Sequence, residues 1–171
     1  MSLETWNWIL VIAFASVVAL FVWYLNVNKR KAESIDTQKN STNETRQLQL
    51  QAYERLTLFT ERIKLDNLIT RLYQQNFSAR DMQQLLLQSI KQEFEHNISQ
   101  QIYINNTVWQ AIEKMKDQNI FVVNQLADAL PQNATAMDLN KSIIQFTLNN
   151  ADTTMNKLVL NAIQFEAKKL L

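Results

Sequence analysis

The chain has 171 residues and a formal net charge of +1, with no cysteine, no glycine, one proline and one histidine. The absence of cysteine excludes disulfides, thiolate zinc sites and iron–sulfur clusters, and the absence of glycine excludes both the P-loop and the G-x-G-x-x-G dinucleotide-binding turn. Scarce glycine and proline also argue against a β-rich domain, and the near-neutral charge gives no reason to expect nucleic acid as a partner.

The first element is an uncharged apolar run from Trp8 to Leu25. A helix over this run would be roughly 27 Å long, close to the ~30 Å hydrocarbon core of a bilayer. A cleaved signal peptide would have basic residues before the run, whereas Glu4 lies there, and a buried core helix seldom lacks charge for so long. Residues 1–28 are therefore predicted to be a transmembrane anchor. Its expected interface residues are Trp6, Trp8, Trp23, Tyr24, Lys29, Arg30 and Lys31.

The basic cluster Lys29–Lys31 sets the expected orientation of this anchor. No lysine or arginine precedes the run, so the positive-inside bias leaves the N-terminus outside and the C-terminal part in the cytoplasm. Residues 29–45 are mostly polar and are predicted to be a juxtamembrane linker. The remaining residues, 46–171, are enough for one domain with its own core.

The first amphipathic stretch of that domain has apolar residues at helical spacing: Leu48, Ala52, Leu56, Phe59 and Ile63. Asp66 is a plausible N-cap for a restart, so the stretch is either one continuous helix or a helix to about Ile63 followed by a second one over Asn67–Tyr73.

A clearer start signal follows at Ser78, which has Asp81 at capping-box spacing. The spacing predicts a helix from there to about Ile104. The amides of Asn97 and Gln101 fall on its buried stripe and are expected to form hydrogen bonds between helices.

Three further helices are predicted. The third follows a turn and cap within Asn105–Thr107 and ends before Pro131, with a bend or loop possible at 117–119. The fourth covers about 138–148, and the fifth begins near 152. The fold class is therefore all-α, an N-terminal transmembrane helix followed by a cytoplasmic bundle of about four to five helices. The expected core includes Leu56, Phe59, Ile90, Phe94, Ile98, Trp109 and Ile112.

Two blocks, 50–63 (LQAYERLTLFTERI) and 90–104 (IKQEFEHNISQQIYI), resemble an uncharacterised family of small, single-span membrane-anchored helical proteins from Bacteroidota. The resemblance extends over nearly the whole chain. It implies a bacterial inner-membrane setting and a helical cytoplasmic part, and it transfers no catalytic residue.

Glu93 and His96 have the i, i+3 spacing found in carboxylate-bridged di-metal bundles, but that site needs a second histidine, which the chain lacks. His96 also points away from Phe94 on the helical wheel, so it is expected on the outer face. We therefore predict no catalytic, cofactor or metal site. A protein-contact surface is predicted instead at Glu93, His96, Gln100, Tyr53 and Arg62.

Three function classes follow from these patterns. The first is a non-catalytic, membrane-tethered interaction or assembly protein that binds another protein or itself. The second is a sensory or regulatory helical domain that responds to a small ligand, which would require a cavity with convergent polar groups. The third, an enzyme, is disfavoured because each catalytic route considered lacks a required residue type.

Overall fold

The computed structural model describes residues 20, 21, 23, 24, 42–150 and 155–171. The chain separates into two compact units, Met1–Thr45 and Arg46–Leu171. In the first unit the described residues are helical, and the side chains of Leu20, Phe21, Trp23 and Tyr24 are exposed. The rest of the predicted anchor lies outside the described residues, including Trp6, Trp8, Lys29, Arg30 and Lys31. Within the described ranges, no helix combines the length and apolar character needed to cross a bilayer.

The second unit consists of α-helices. Its elements are α1 (46–62), α2 (Leu65–Leu72), α3 (Ala79–Asn97), a 3₁₀ helix (Ile98–Ile102), α4 (Asn106–Asp128), α5 (Ala136–Asn149) and α6 (Met155–Lys168). The all-α prediction is confirmed for the described residues, which contain no strand, only an isolated bridge between Ser78 and Thr135. The first amphipathic stretch is broken, because a turn at Ile63 and Lys64 separates α1 from α2.

One hydrophobic core joins these helices. α3 packs on α2, α4 and α5, and α4 also packs on α5 and α6. Five of the predicted core residues are buried: Leu56, Phe59, Ile90, Trp109 and Ile112. Phe94 is half-buried, and Ile98 was wrongly predicted because its exposed fraction is 46%.

The error at Ile98 has a physical cause in the way α3 ends. A 3₁₀ helix has three residues per turn, so residues three apart eclipse one another and the phase of the buried face changes. Gln100 therefore falls on the same side as Asn97, and both are buried, whereas Gln101 is exposed. The predicted burial of Gln101 is wrong. The predicted bond between helices is also wrong for Asn97, because its Nδ2 donates to Glu93 O within α3.

The starts of α3 and α5 lie side by side. Ser78 and Thr135 each form a capping box with the aspartate three residues later. The bridge between them is closed by two hydrogen bonds of 2.9 Å, in which Ala79 N donates to Ala134 O and Ala136 N donates to Phe77 O. α5 begins at Ala136 rather than near 138, because Asp138 is the third residue of the helix and not its first.

The C-terminal end of α1 is capped by side chains from three other helices. Its last carbonyl groups would otherwise lack donors, since a helix leaves its final C=O groups unpaired. Four consecutive carbonyls, 60 to 63, each accept a side-chain N–H: Thr60 O from Asn156, Glu61 O from Asn67, Arg62 O from Arg71 and Ile63 O from Asn119, at 3.1, 2.9, 3.2 and 2.9 Å.

Asn119 is a buried polar residue in the middle of α4. The interruption of the apolar stripe at 117–119 left a bend or loop possible, and the structure shows that α4 is continuous from Asn106 to Asp128. Asn119 is buried within it because its amide donates to Ile63 O at the end of α1. A polar residue on the inner face of α4 therefore forms a contact between helices and not a break.

Candidate functional site

A groove of about 350 Å³ lies between α1 and α3, and it contains three of the five predicted contact residues. Arg62 comes from the last turn of α1, and Glu93 and His96 come from the last turns of α3. Arg55 and Leu58 complete the α1 side of the groove. The two helices that the sequence suggested as separate contact edges thus form one surface.

The charged centre of this groove is an ion pair between Arg62 and Glu93. Arg62 Nε lies 2.7 Å from Glu93 Oε1, and Arg71 Nη1 from α2 lies 3.6 Å from the same oxygen. The hydrogen bond to Glu93 raises the pKa of Arg62, with partial burial acting in the opposite direction. Because the Arg62 side chain is 53% exposed, the pair contributes little to stability and mainly fixes the position of both groups.

Besides Arg62, three side chains of the groove are exposed: Leu58, His96 and Arg55. Leu58 has an exposed fraction of 63% and lies one helical turn from both Arg55 and Arg62. His96 is exposed on α3, on the outer face where the sequence placed it, and makes no hydrogen bond or ion pair with another described residue. Arg55 likewise has no acidic partner in the described ranges. These three side chains are available to a second molecule.

Tyr53 and Gln100 do not belong to this surface. Tyr53 is 5% exposed, and its hydroxyl oxygen accepts a hydrogen bond of 3.3 Å from Asn105 N at the start of α4. Gln100 is 6% exposed because the 3₁₀ helix turns it inward, and its Nε2 donates to Ser99 Oγ. Both residues support the end of the bundle, so their assignment to a contact surface is corrected.

The floor of the groove is the aromatic ring of Phe59. Next to it, the Phe94 ring lies 6.2 Å from Phe59 and 5.4 Å from Trp109, measured between ring centroids, and both pairs are tilted. Lys116 Nζ from α4 lies 4.5 Å from the Phe94 centroid, and Trp109 Nε1 donates to Glu113. The tilted aromatic pairs, with a cation over one ring, pack against Phe59 and support its position.

A second cavity, of about 410 Å³, lies where α2 begins, α5 ends and α6 begins, against the middle of α4. Its apolar wall consists of Leu65, Val122, Phe146, Leu148, Met155 and Leu158. Two of the buried caps of α1, Asn119 and Asn156, also line it. Sequence reasoning missed this site, since Asn119 was visible only as an interruption of the α4 stripe and Asn156 gave no signal.

The described ranges contain no cluster of three or more histidine, cysteine, aspartate or glutamate side chains that could hold a metal ion. Glu93 and His96, the pair with di-metal spacing, both line the groove, where Glu93 is instead bonded to Arg62.

Comparison with known proteins places the chain in one family. Residues 2–170 match the model of DUF7935, a family of unknown function. No curated protein and no solved structure matches the chain. Because the match covers nearly the whole sequence, the protein belongs to this family of unknown function.

Proposed function

We propose that the protein is a non-catalytic interaction or assembly protein, tethered to the bacterial inner membrane by residues 8–25. Its helical domain faces the cytoplasm and binds another protein, or a second copy of itself, through the groove between α1 and α3. The observation that carries this proposal is the exposed Leu58, set between Arg55 and Arg62 above an aromatic floor.

The chemistry of this groove indicates what a partner would present. An apolar side chain would cover Leu58, and a carboxylate would pair with Arg55, since the charge of Arg62 is already balanced by Glu93. Arginine beside an apolar contact is typical of the residues that dominate binding energy at protein interfaces. The groove and its floor are held by packing and need no rearrangement to accept such a segment.

The tether is supported by the uncharged run from Trp8 to Leu25 and by the basic cluster that follows it. Within the run, Leu20, Phe21, Trp23 and Tyr24 are helical and each is more than half exposed. Exposed large apolar side chains of this kind favour burial in lipid or against another protein. A tether would also raise the effective concentration of the groove toward a membrane-bound partner.

The non-catalytic assignment is supported by the amino-acid composition and by the ion pairs that Glu93 forms in the groove. The chain has no cysteine, which removes cysteine–histidine pairs, and it has a single histidine that could act as the base for another nucleophile. Glu93, the partly buried acidic residue that lines the groove, forms ion pairs with Arg62 from α1 and Arg71 from α2. It acts as a structural partner and is not positioned as a general base.

Photocrosslinking in intact cells tests this function. A photoreactive residue at position 58 or 96 is expected to capture the same protein, whereas one at Gln132, exposed in the loop before α5, is not. In the position 96 background, Arg55→Glu is expected to reduce the capture at least about tenfold, because it reverses the charge offered to the partner. Lys114→Glu, at an exposed position of α4, serves as the matched charge reversal.

Three outcomes would contradict the proposal. These are equal capture at position 132, different proteins at positions 58 and 96, or no effect of Arg55→Glu beyond that of Lys114→Glu. Purified full-length Arg55→Glu protein should retain the circular dichroism spectrum and melting temperature of the parent, because Arg55 is exposed and has no acidic partner among the described residues.

The ligand-responsive alternative is favoured by a specific observation, the cavity beside α6. Its volume of about 410 Å³ lies within the range of small-molecule sites, and it combines an apolar wall with buried amides. The two functions use different parts of the domain.

A further inference from the structure

Asn119 and Asn156 each use the N–H half of their amide in a hydrogen bond, and no described residue bonds to the oxygen half. Their Nδ2 atoms donate to Ile63 O and Thr60 O. Neither Oδ1 atom accepts a hydrogen bond within the described part of the chain. Both side chains are more than nine-tenths buried and line the cavity, and neither oxygen is sealed from solvent, unlike Oδ1 of Asn140 on α5. The cavity thus presents two acceptor oxygens held in place by bonds to α1.

The remainder of the cavity determines the rest of the ligand. The apolar wall from Leu65 to Leu158 suits an aliphatic body. Among the described residues that line the cavity, the two charged ones, Lys64 and Asp66, pair with each other at 3.0 Å. A charged ligand would therefore lose hydration without gaining a free counter-charge from these residues.

From these features we propose that the cavity binds a small neutral molecule with an aliphatic body and at least one hydrogen-bond donor, such as a hydroxyl or primary amide. The donor bonds to Oδ1 of Asn119 or Asn156, and the body lies against Met155 and Leu148. This site is separate from the groove between α1 and α3, so the inference goes beyond the protein-binding function and does not depend on it.

Ligand binding would also stabilise one end of α1. The same two amides hold the carbonyls of Thr60 and Ile63, so a donor on Oδ1 fixes each amide in the orientation that α1 needs. Hydrogen bonds that share one amide polarise and strengthen each other. Occupancy of the cavity is therefore expected to protect the α1–α2 junction.

Methionine methyl NMR on the full chain in lipid nanodiscs tests the site. Met155 lines the cavity, Met82 and Met115 are buried in the core, and Met137 is exposed on α5. Titration with 1-octanol, with its free aqueous concentration measured, is expected to shift the Met155 methyl signal and leave that of Met137 unchanged. Heptyl methyl ether has the same atoms but no donor, and octanoate carries a charge. Each is expected to bind at least about tenfold more weakly.

Two surface variants locate the binding. Leu148→Lys places a charge at the rim of the cavity, and Ile144→Lys places one a turn earlier on α5, outside it. Only Leu148→Lys is expected to abolish the Met155 shift, with unchanged Met82 and Met115 signals reporting an intact fold.

The site is refuted if 1-octanol leaves Met155 unshifted, if Met137 responds equally, or if Ile144→Lys is as damaging as Leu148→Lys. Equal binding of the alcohol and the ether would refute recognition by the amides.

Discussion

Asparagine side chains cap helix ends in this protein, where many proteins use glycine. Glycine commonly ends a helix in the left-handed conformation, but this chain has none, and no described residue has a positive φ. Asn97 and Asn150 instead donate to the carbonyl four residues earlier, at the ends of α3 and α5. Asn119 and Asn156 do so for α1 from other helices. Four asparagines of this chain therefore act as structural caps.

Replacement of Asn119 tests the energetic importance of these caps. Asn119→Leu removes the donor to Ile63 O and leaves that carbonyl buried and unpaired, so the free energy of unfolding is expected to fall by about 1–3 kcal/mol. Urea denaturation of the full chain measures it. Gln118→Leu, at the neighbouring exposed position, is the control and should change stability by less than about 0.5 kcal/mol. Equal effects of the two variants would show that the cap is dispensable.

The two capping aspartates give stability a dependence on pH. The Ser78 hydroxyl, followed by its backbone N–H, lowers the pKa of Asp81, and the Thr135 backbone N–H, followed by its hydroxyl, lowers the pKa of Asp138. A carboxylate whose pKa is lower in the folded state stabilises the fold fully above its unfolded pKa. This contribution is lost as the pH falls through the folded value.

Asp81→Asn and Asp138→Asn are therefore expected to destabilise the domain at pH 7 and to approach parent stability as the pH falls below about 4. Urea denaturation at pH 7, 4 and 3 gives the comparison. Glu95→Gln is the control on α3, since the Glu95 side chain makes no hydrogen bond or ion pair with the described residues. A deficit of the Asp81 and Asp138 variants that stayed constant down to pH 3 would contradict the capping role of the charge.

At the scale of elements, the start of α3 was predictable from the sequence and its end was not. The box at Ser78 was found from the sequence because capping is a local pattern, and Thr135 with Asp138 has the same spacing but was not identified. The end of α3 depends on the change to a 3₁₀ helix, which has no local signature comparable to a cap. A 3.6-residue period continued past Asn97 therefore misplaces every side chain after it.

The change of period at the end of α3 makes a testable contrast between two isoleucines. Ile90 is fully buried in α3, and Ile98 begins the 3₁₀ helix with nearly half of its surface exposed. Ile90→Ala is expected to cost about 2–5 kcal/mol, whereas Ile98→Ala should cost less than about 1 kcal/mol, because little apolar surface is buried there. Chemical denaturation of both variants gives the answer. If Ile98→Ala lowered the free energy of unfolding as much as Ile90→Ala, Ile98 would be buried, as the continuous helix predicted from the sequence requires.

For the whole molecule, the family match covers more of the chain than the part that contains the groove and the cavity. The match from residue 2 to 170 includes the apolar run, whereas the groove and the cavity lie in the unit Arg46–Leu171. The sequence predicted the all-α class because amphipathic periodicity and missing glycine are properties of the entire chain. The sequence identified Arg62, Glu93 and His96 as candidate contact residues because they are polar and were expected on outer helix faces. Their meeting in one groove depends on the antiparallel packing of α1 and α3, which no local pattern encodes.

The proposed tether leads to a prediction about topology. With Lys29–Lys31 retained on the cytoplasmic side, a fluorescent reporter after Leu171 is expected to be active and an alkaline phosphatase at the same place inactive. Replacing the three basic residues with asparagine and adding three lysines before Trp6 should shift activity toward the phosphatase, since the positive charge then lies on the other side of the run. The matched control adds three asparagines before Trp6 and leaves Lys29–Lys31 unchanged. Phosphatase activity from the parent chain would show that the orientation is the reverse of the predicted one. Release of the parent from membranes by alkaline carbonate would show that the chain has no transmembrane tether.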